Sequence, residues 1–555
     1  MSGTRKRIGD LLLESGVITE QQLQEALEQQ RDTKSRLGDV LISKGIITQQ
    51  QFIEALEFQL GIPHVQLYRQ KIDPKIIQLM TQKLADQHCV LPLRMDGNRL
   101  VIAMADPLDY FAIDEIRIAT GLRVEPVIAA REELVRAISR YYGLSETIEQ
   151  ISQNLQLKDL DDERAIQDEN SPVVKTVNQI IVQAVHLGAS DIHLDPQDGN
   201  FRIRYRVDGV MRTERNLPTN MHGVIIARIK IMANLNVAER RLPQDGRVEL
   251  DIDFRKVDMR VSTLPTVHGE KVVIRVLDLS ASQADISKLS LSEHNYRLFK
   301  GAIESSNGVV LITGPTGSGK STALYSALGH LNREDVNIIT IEDPVEYQLE
   351  GVNQVQVNPV TGLTFARGLR AILRQDPNIV MIGEIRDSET AEISVRAAMT
   401  GHLVLSTLHT NNAVNAITRL VDMGVEPFLV SSSLTCIVAQ RLVRRICPHC
   451  SRSYEPSAEE RAILTKARFE VTKLFKGEGC GECGLSGYKG RMAIQEVLPV
   501  DDRLRTMILA KRSDHEYYDH ALSNGMVPIM ADGLRKASEG HTTLTEIFRV
   551  LGKVD

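Results

Sequence analysis

The sequence predicts a multidomain α/β protein organised around a domain with a buried parallel sheet. Three observations predict it. The chain has 555 residues, too many for one hydrophobic core, so three or four domains are expected. The run Val309 to Thr313 reads as a buried parallel strand and passes directly into a glycine-rich turn and a helix. Further strands of the same kind follow, tipped with acids or histidine.

The glycine-rich turn is Gly314-Pro315-Thr316-Gly317-Ser318-Gly319, and Lys320, Ser321 and Thr322 open the helix. It fits G-x-x-x-x-G-K-[ST], the phosphate-binding loop. Glycines let backbone N–H groups curl around phosphate oxygens with no Cβ in the way. The helix N-terminus adds partial positive charge. Lys320 is placed to reach the β- and γ-phosphates, and Ser321 to offer its hydroxyl to Mg²⁺. A chance glycine-rich turn would not need a buried strand before it and a helix after it.

Composition narrows the class. Hydrophobic residues make up 42% of the chain, as in ordinary globular proteins. No apolar run approaches the roughly 18 residues needed to span a membrane. The stretch MSGTRKRIGDLLLES has neither a signal-peptide core nor a cleavage site, so a cytoplasmic location is expected, with docking on a membrane complex left open. Net charge is −6, and there is no basic tract or aromatic stacking stripe; direct nucleic-acid binding is not expected. Of the six cysteines, four fall in two C-x-x-C pairs, which in a reducing compartment points to metal or redox chemistry before disulfides.

Residues 1–60 repeat themselves at a shift of 29. Arg7-Ile8-Gly9-Asp10 returns as Arg36-Leu37-Gly38-Asp39, and Gly16-Val17-Ile18-Thr19 as Gly45-Ile46-Ile47-Thr48. Each copy reads as a short helix, then a longer one started by a threonine cap. A helical interaction module is one reading. The Arg–Gly corner opening both copies favours another, since two equivalent corners suit a ligand with two equivalent halves. The doubled pattern resembles the cyclic di-GMP-binding N-terminal domain of some secretion ATPases. The resemblance implies that Arg7, Gly9, Arg36 and Gly38 contact guanine and phosphate, over an apolar bed of Leu11, Leu12, Leu23, Leu27, Val40, Leu41, Phe52 and Leu56.

Residues 61–144 read as a small α/β docking domain, with a hairpin around Asp96-Gly97 and a helix starting at Asp106-Pro107. Cys89 is expected to be buried and inert. Residues 145–171 are polar and acidic and read as a linker. Residues 172–285 begin with a helix over Val173 to Leu187 and continue as strands with arginines on one face, at Arg202, Arg204, Arg206, Arg260 and Arg275. A solvated sheet face is the plain reading. Because a phosphate-loop domain follows directly, some of these arginines are expected to supply charge to the γ-phosphate in the transition state.

Within residues 286–555, Val336 to Ile341 is a buried strand ending in Glu342-Asp343-Pro344-Val345-Glu346. Ile379 to Ile382 runs into Gly383-Glu384-Ile385-Arg386, and Leu403 to Leu408 ends at His409. The segments GPTGSGKST, TIEDPVEY, LRQDPNIVMIGEIRD, TGHLVLSTLHTNNA and AQRLVRRIC resemble the ATPases of type II secretion and type IV pilus assembly, over at least residues 172–550. That resemblance implies a RecA-like motor preceded by a PAS-like α/β domain, and a homo-hexamer binding ATP between the two. Lys320 and Ser321 would grip phosphate and Mg²⁺, Glu342 and Glu384 are candidates for polarising water, and His409 would sense the γ-phosphate. Arg204, Arg206, Arg241, Arg247 and Arg260 are the arginine candidates. The partner implied is an inner-membrane platform protein, and the product a pilus or pseudopilus. The rival class is a ring motor that moves DNA.

Cys447-Pro448-His449-Cys450 and Cys480-Gly481-Glu482-Cys483 are separated by 29 residues. Two thiol pairs at this spacing favour tetrahedral Zn²⁺ in a structural role, clipping the base of an insertion over 447–483. The motif resembles the tetracysteine insertion of assembly ATPases. Cys436 is expected in an apolar helix, Gly487 to Arg491 and then Ile494 to Val497 as a return strand, and residues 501–552 as amphipathic helices.

Overall fold

The computed structural model describes residues 12–13, 17–33, 40–41, 44, 46–47, 61–65, 67, 72–107, 109–142, 171–252, 255–278, 285–467, 469 and 471–552. The chain divides into two compact units. One comprises the chain up to Ile180 with Pro218–Ile229, the other Ile181–Leu217 with Lys230–Asp555.

In the first unit the sequence repeat has a structural counterpart. The Leu12 carbonyl accepts the Val17 and Ile18 N–H groups; 29 residues on, the Leu41 carbonyl accepts those of Ile46 and Ile47. Leu12, Ile18, Leu41 and Ile47 then share one small core with Ala26 and Val40. A unit this short cannot bury its apolar face alone, so two copies close on each other. The helix Glu20–Thr33 starts at Thr19, whose hydroxyl accepts the Gln22 N–H while the Gln22 side chain accepts the Thr19 N–H. Arg7, Gly9, Arg36 and Gly38, with Leu11, Phe52 and Leu56, lie outside the described residues.

Strands β1 (Val90–Asp96) and β2 (Arg99–Met104) form the expected antiparallel hairpin, and β3 (Arg123–Ile128) pairs parallel to β2. The helix expected from Asp106 begins later, at Tyr110, because the Asp109 carboxylate caps it by accepting the Ala112 N–H. Cys89 is buried.

The second unit holds a six-stranded antiparallel sheet of β4 (Ala189–Gln197), β5 (Asn200–Val207), β6 (Val210–Leu217), β7 (Gln244–Ile252), β8 (Arg255–Thr266) and β9 (Gly269–Asp278), in the order β6-β5-β4-β9-β8-β7. In β5, Phe201, Ile203, Tyr205 and Val207 are buried, which turns Arg202, Arg204 and Arg206 to the other face.

The motor sheet contains β10 (Gly308–Thr313), β11 (Ile338–Glu342), β12 (Asn353–Gln356), β13 (Ile379–Ile382), β14 (Leu403–Leu408), β15 (Leu434–Ile446) and β18 (Tyr488–Pro499). Its order is β12-β11-β13-β14-β10-β15-β18, with every pair parallel except β15–β18. The central strands are buried on both faces, hence their unbroken apolar runs. Cys436 is not helical: it lies fully buried in β15. Its β-branched surroundings, Thr435, Ile437 and Val438, favour a strand over the helix that an apolar run also allows. Between β15 and β18 projects a small hairpin, β16 (Ser451–Tyr454) and β17 (Leu474–Gly477), with the helix Ala458–Lys466 between its strands. The last residues form helices Asp502–Leu509, Asp514–Ser523, Ile529–Ser538 and Leu544–Leu551, as expected.

Candidate active site and metal centre

Because β10, β13 and β14 run parallel, their C-terminal ends bring the phosphate loop, Glu384 and His409 to one edge of the sheet. Two of the loop's glycines, Gly314 and Gly319, are required by space. A Cβ on Gly314 would lie 2.5 Å from the Gln440 carbonyl oxygen, and one on Gly319 would lie 2.8 Å from the Gln440 side-chain nitrogen. Both also have positive φ. Pro315, Thr316 and Gly317 are exposed at the rim, Ser318 is buried beneath it, and Ser321 and Thr322 are exposed on the first turn of Lys320–Leu331. This loop fits a polyphosphate: glycines that let the backbone fold tightly against β15, and N–H groups at a helix start. Lys320 Nζ donates to the Gly314 and Pro315 carbonyls at 2.8 and 3.2 Å. Burial pushes its ammonium down to about 8, with Glu384 opposing and Arg441 adding to the shift.

Glu384 accepts from Arg386 at 2.5 Å, and one of its oxygens lies 3.5 Å from His409 Nε2. Burial works to raise its carboxyl. The Arg386 hydrogen bond and charge, with His409 and Lys320, outweigh burial and hold it below its ordinary value. Gly383 is held on both sides: its N–H donates to the Ile341 carbonyl at 2.8 Å, and its carbonyl accepts from the Thr407 hydroxyl at 2.7 Å.

Glu342 is in a different position from that expected of a water-polarising group. Its residue is only 4% exposed. Its carboxylate accepts from the Tyr325 hydroxyl, from Thr340 at 2.6 Å and from Gln354 at 3.1 Å. The sequence could not show this, because the strand's last side chain points into the layer beneath the phosphate-loop helix. The carboxylates of that segment that remain accessible are Asp343, 3.4 Å from Arg386, and Glu346, 35% exposed. Glu346 was not singled out from sequence; its place four residues past Glu342 in an acid-rich turn was the available signal.

The arginine candidates part company. Arg260 reaches from β8 to the acidic turn, donating to Glu346 at 2.8 Å and to the Val345 carbonyl at 3.2 Å. Arg204 is held by Asp195 at 2.7 Å, and Lys271 binds the same carboxylate. Arg206 and Arg275 share Asp191 at 3.3 and 3.2 Å. Arg247 is bound to Asp258 at 2.6 Å, and Arg241, 88% exposed, to Glu239 at 2.8 Å. Among the described residues of this chain, Arg260 is the candidate that touches the acidic turn.

Cys447, Cys450, Cys480 and Cys483 converge, with all four sulfurs within 4.8 Å of one another. The separations are 3.8 Å for Cys447–Cys480, 3.9 Å for Cys450–Cys483 and 3.7 Å for Cys480–Cys483. Sulfurs ~2.3 Å from a tetrahedral zinc ion would stand about 3.8 Å apart, so the donor set fits Zn²⁺. The Cys480 and Gly487 N–H groups point at Cys483 Sγ at 3.2 and 3.3 Å, support that a thiolate needs. β16 leaves directly after Cys450 and β17 returns just before Cys480, so the cluster stands at the base of the inserted hairpin. His449 is not part of the group.

Residues 166–549 match the family model described as type II/IV secretion system protein, and residues 60–148 match the MshEN domain. The second match falls on the stretch read as a docking domain, just after the tandem repeat. The chain is 43% identical to the type IV pilus assembly ATPase PilB of Myxococcus xanthus over 99% of this chain and 98% of that one. It is 48% identical to the type II secretion system ATPase E of Vibrio cholerae over 69% of this chain and 76% of that one. The X-ray structure of the Legionella pneumophila ATPase DotB, 23% identical, shares the fold with a TM-score of 0.50, covering 67% of this chain and 94% of that chain. On the strength of the family match and the end-to-end likeness, this chain belongs to the type II/IV secretion system family of ATPases and carries an N-terminal MshEN domain.

Proposed function

We propose that this chain is the hexameric motor that hydrolyses ATP to drive assembly of a type IV pilus, working on an inner-membrane platform protein from the cytoplasmic face. The observation that carries this reading is the match to a pilus assembly ATPase along nearly the whole of both chains. The type II secretion relative aligns over a smaller share, so a pseudopilus is the second choice.

The phosphate loop and Lys320 hold the ATP phosphates, and Ser321 offers its hydroxyl to Mg²⁺, which when bound neutralises developing phosphate charge. Glu384 is the group that orients the attacking water: it is ionised, partly open, and beside both Lys320 and His409. Glu346, gripped by Arg260, is the second carboxylate at hand. Glu342 serves as an internal anchor. His409 reads the γ-phosphate through its contact with Glu384. Arg204, Arg206, Arg241 and Arg247 await a neighbouring subunit's nucleotide. The antiparallel sheet that carries them is read as PAS-like. Zn²⁺ on the four cysteines is structural.

The tandem repeat is read as a cyclic di-GMP site, supported by its matched pair of turns. Binding there would couple a signal to motor output through residues 145–171.

The test is ATP turnover by the purified protein with and without the platform protein's cytoplasmic domain. Stimulated hydrolysis, lost in Lys320→Ala and in Glu384→Gln, is expected. Stimulation by single-stranded DNA and none by the platform domain would favour the DNA motor instead. For the regulatory site, Arg36→Ala should abolish cyclic di-GMP binding; unchanged affinity would remove the assignment.

A further inference from the structure

We propose that Gln440 is a positioning residue for the phosphate loop, and that Gln495 holds it in place. This rests on reading the loop as the ATP site. Gln440 falls in the AQRLVRRIC segment, but the sequence assigns neither it nor Gln495 a role, because each acts from a strand other than the one leading into the loop.

Gln440 lies on β15, next to β10, and is 2% exposed. Its Nε2 donates to the Ser318 carbonyl at 2.8 Å. Its backbone oxygen abuts Gly314 and its side chain abuts Gly319, so one residue supports both ends of the loop. The bond gives the Ser318 carbonyl a partner on the β15 side of the loop. On the antiparallel strand β18, Gln495 stands opposite in register and donates to Gln440 Oε1 at 2.9 Å. That bond fixes which end of the Gln440 amide faces the loop. Gln495 is itself fixed: its side-chain nitrogen lies 3.2 Å from the Leu289 carbonyl, and its N–H donates to Asp532 at 3.0 Å. All of this is buried, where a misplaced polar group has no water to turn to.

A loop that grips phosphate alike before and during reaction contributes uniform binding. Loss of its support should therefore raise KM and the Kd for ATP about equally, with kcat changed little. The experiment measures Kd for ATP by equilibrium dialysis, and KM and kcat, on the full chain with zinc content checked. Gln440→Leu is expected to weaken ATP about 10-fold with kcat within twofold, and Gln495→Met about threefold. The double variant should be no worse than Gln440→Leu alone, because Gln495 acts only through Gln440. ATP affinity within twofold of wild type in folded Gln440→Leu overturns the proposal, as does a loss confined to kcat or a fully additive double variant. If Gln440→Leu does not fold, Gln495→Met decides: unchanged Kd overturns it. A wild type that binds ATP without hydrolysing it would defeat the motor reading while leaving the Kd comparison intact.

Discussion

Replacing Glu342 by glutamine separates an anchor from a catalyst. The carboxylate faces three donors, from Tyr325, Thr340 and Gln354. An amide has one oxygen, so one end must present N–H₂ to a group that is already donating. Tyr325 offers little relief, since its oxygen already lies 3.2 Å from the Glu346 N–H and 3.4 Å from the Gln354 amide. At least one charge-assisted bond is lost in a buried site, worth about 1.5–3 kcal/mol. For a motor domain of this size, 1 kcal/mol moves the midpoint by roughly 2–4 °C. Glu342→Gln should therefore melt about 3–12 °C below wild type, read by differential scanning calorimetry in zinc-containing buffer. Because the acidic turn then loses its seat, hydrolysis should fall with it. A variant that melts with wild type, binds ATP and fails to cleave it would refute this: Glu342 would then be the water-polarising base.

Other outcomes can be measured directly. Lys320 has its folded pKa lowered to about 8, so the empty site holds it charged below that value and increasingly neutral above it. Phosphate favours the ammonium; ATP affinity should fall as pH rises from 7 to 9, and binding at pH 8.5 should take up a proton. Calorimetry in buffers of different ionisation heat reads that uptake, and its absence, or its persistence in Lys320→Met, would contradict the assignment. Arg260→Ala removes the hydrogen bond to Glu346 and should lower kcat by roughly 10–100-fold with ATP affinity nearly unchanged, as expected for charge that acts on the transition state; an unaltered kcat would count against it. Cys450→Ser should cost the chain its zinc, measured by elemental analysis, and expose the hairpin to protease. The core shared by Leu464, Leu474, Leu534 and Leu544 should loosen with it. A metal-free wild type would end the zinc reading.

Much of the site was legible because its chemistry is local. The phosphate loop, the acid-tipped strands and the paired C-x-x-C segments each place their key atoms within a few residues, so spacing alone carried them. The tandem repeat was legible for the same reason, and its turns recur at the same shift of 29. Cys436 lies in a strand and not the expected helix, because an apolar run buried on both faces fits helix and strand alike. The helix expected from Asp106 starts at Tyr110, because the Asp109 carboxylate supplies the cap.

The amino-acid order by itself determined that this protein has a phosphate-loop ATPase domain, an arginine-bearing sheet and an insertion framed by two pairs of cysteines. Only the tertiary structure decided which acid is sealed under the Tyr325 hydroxyl and which stands open, and which arginine finds the acidic turn. It also placed Gln440 behind the phosphate loop, 122 residues from its partner Ser318. The reason is physical. Strand order brings together side chains far apart in the chain, and burial and hydrogen-bond partners exist only once those neighbours are in place.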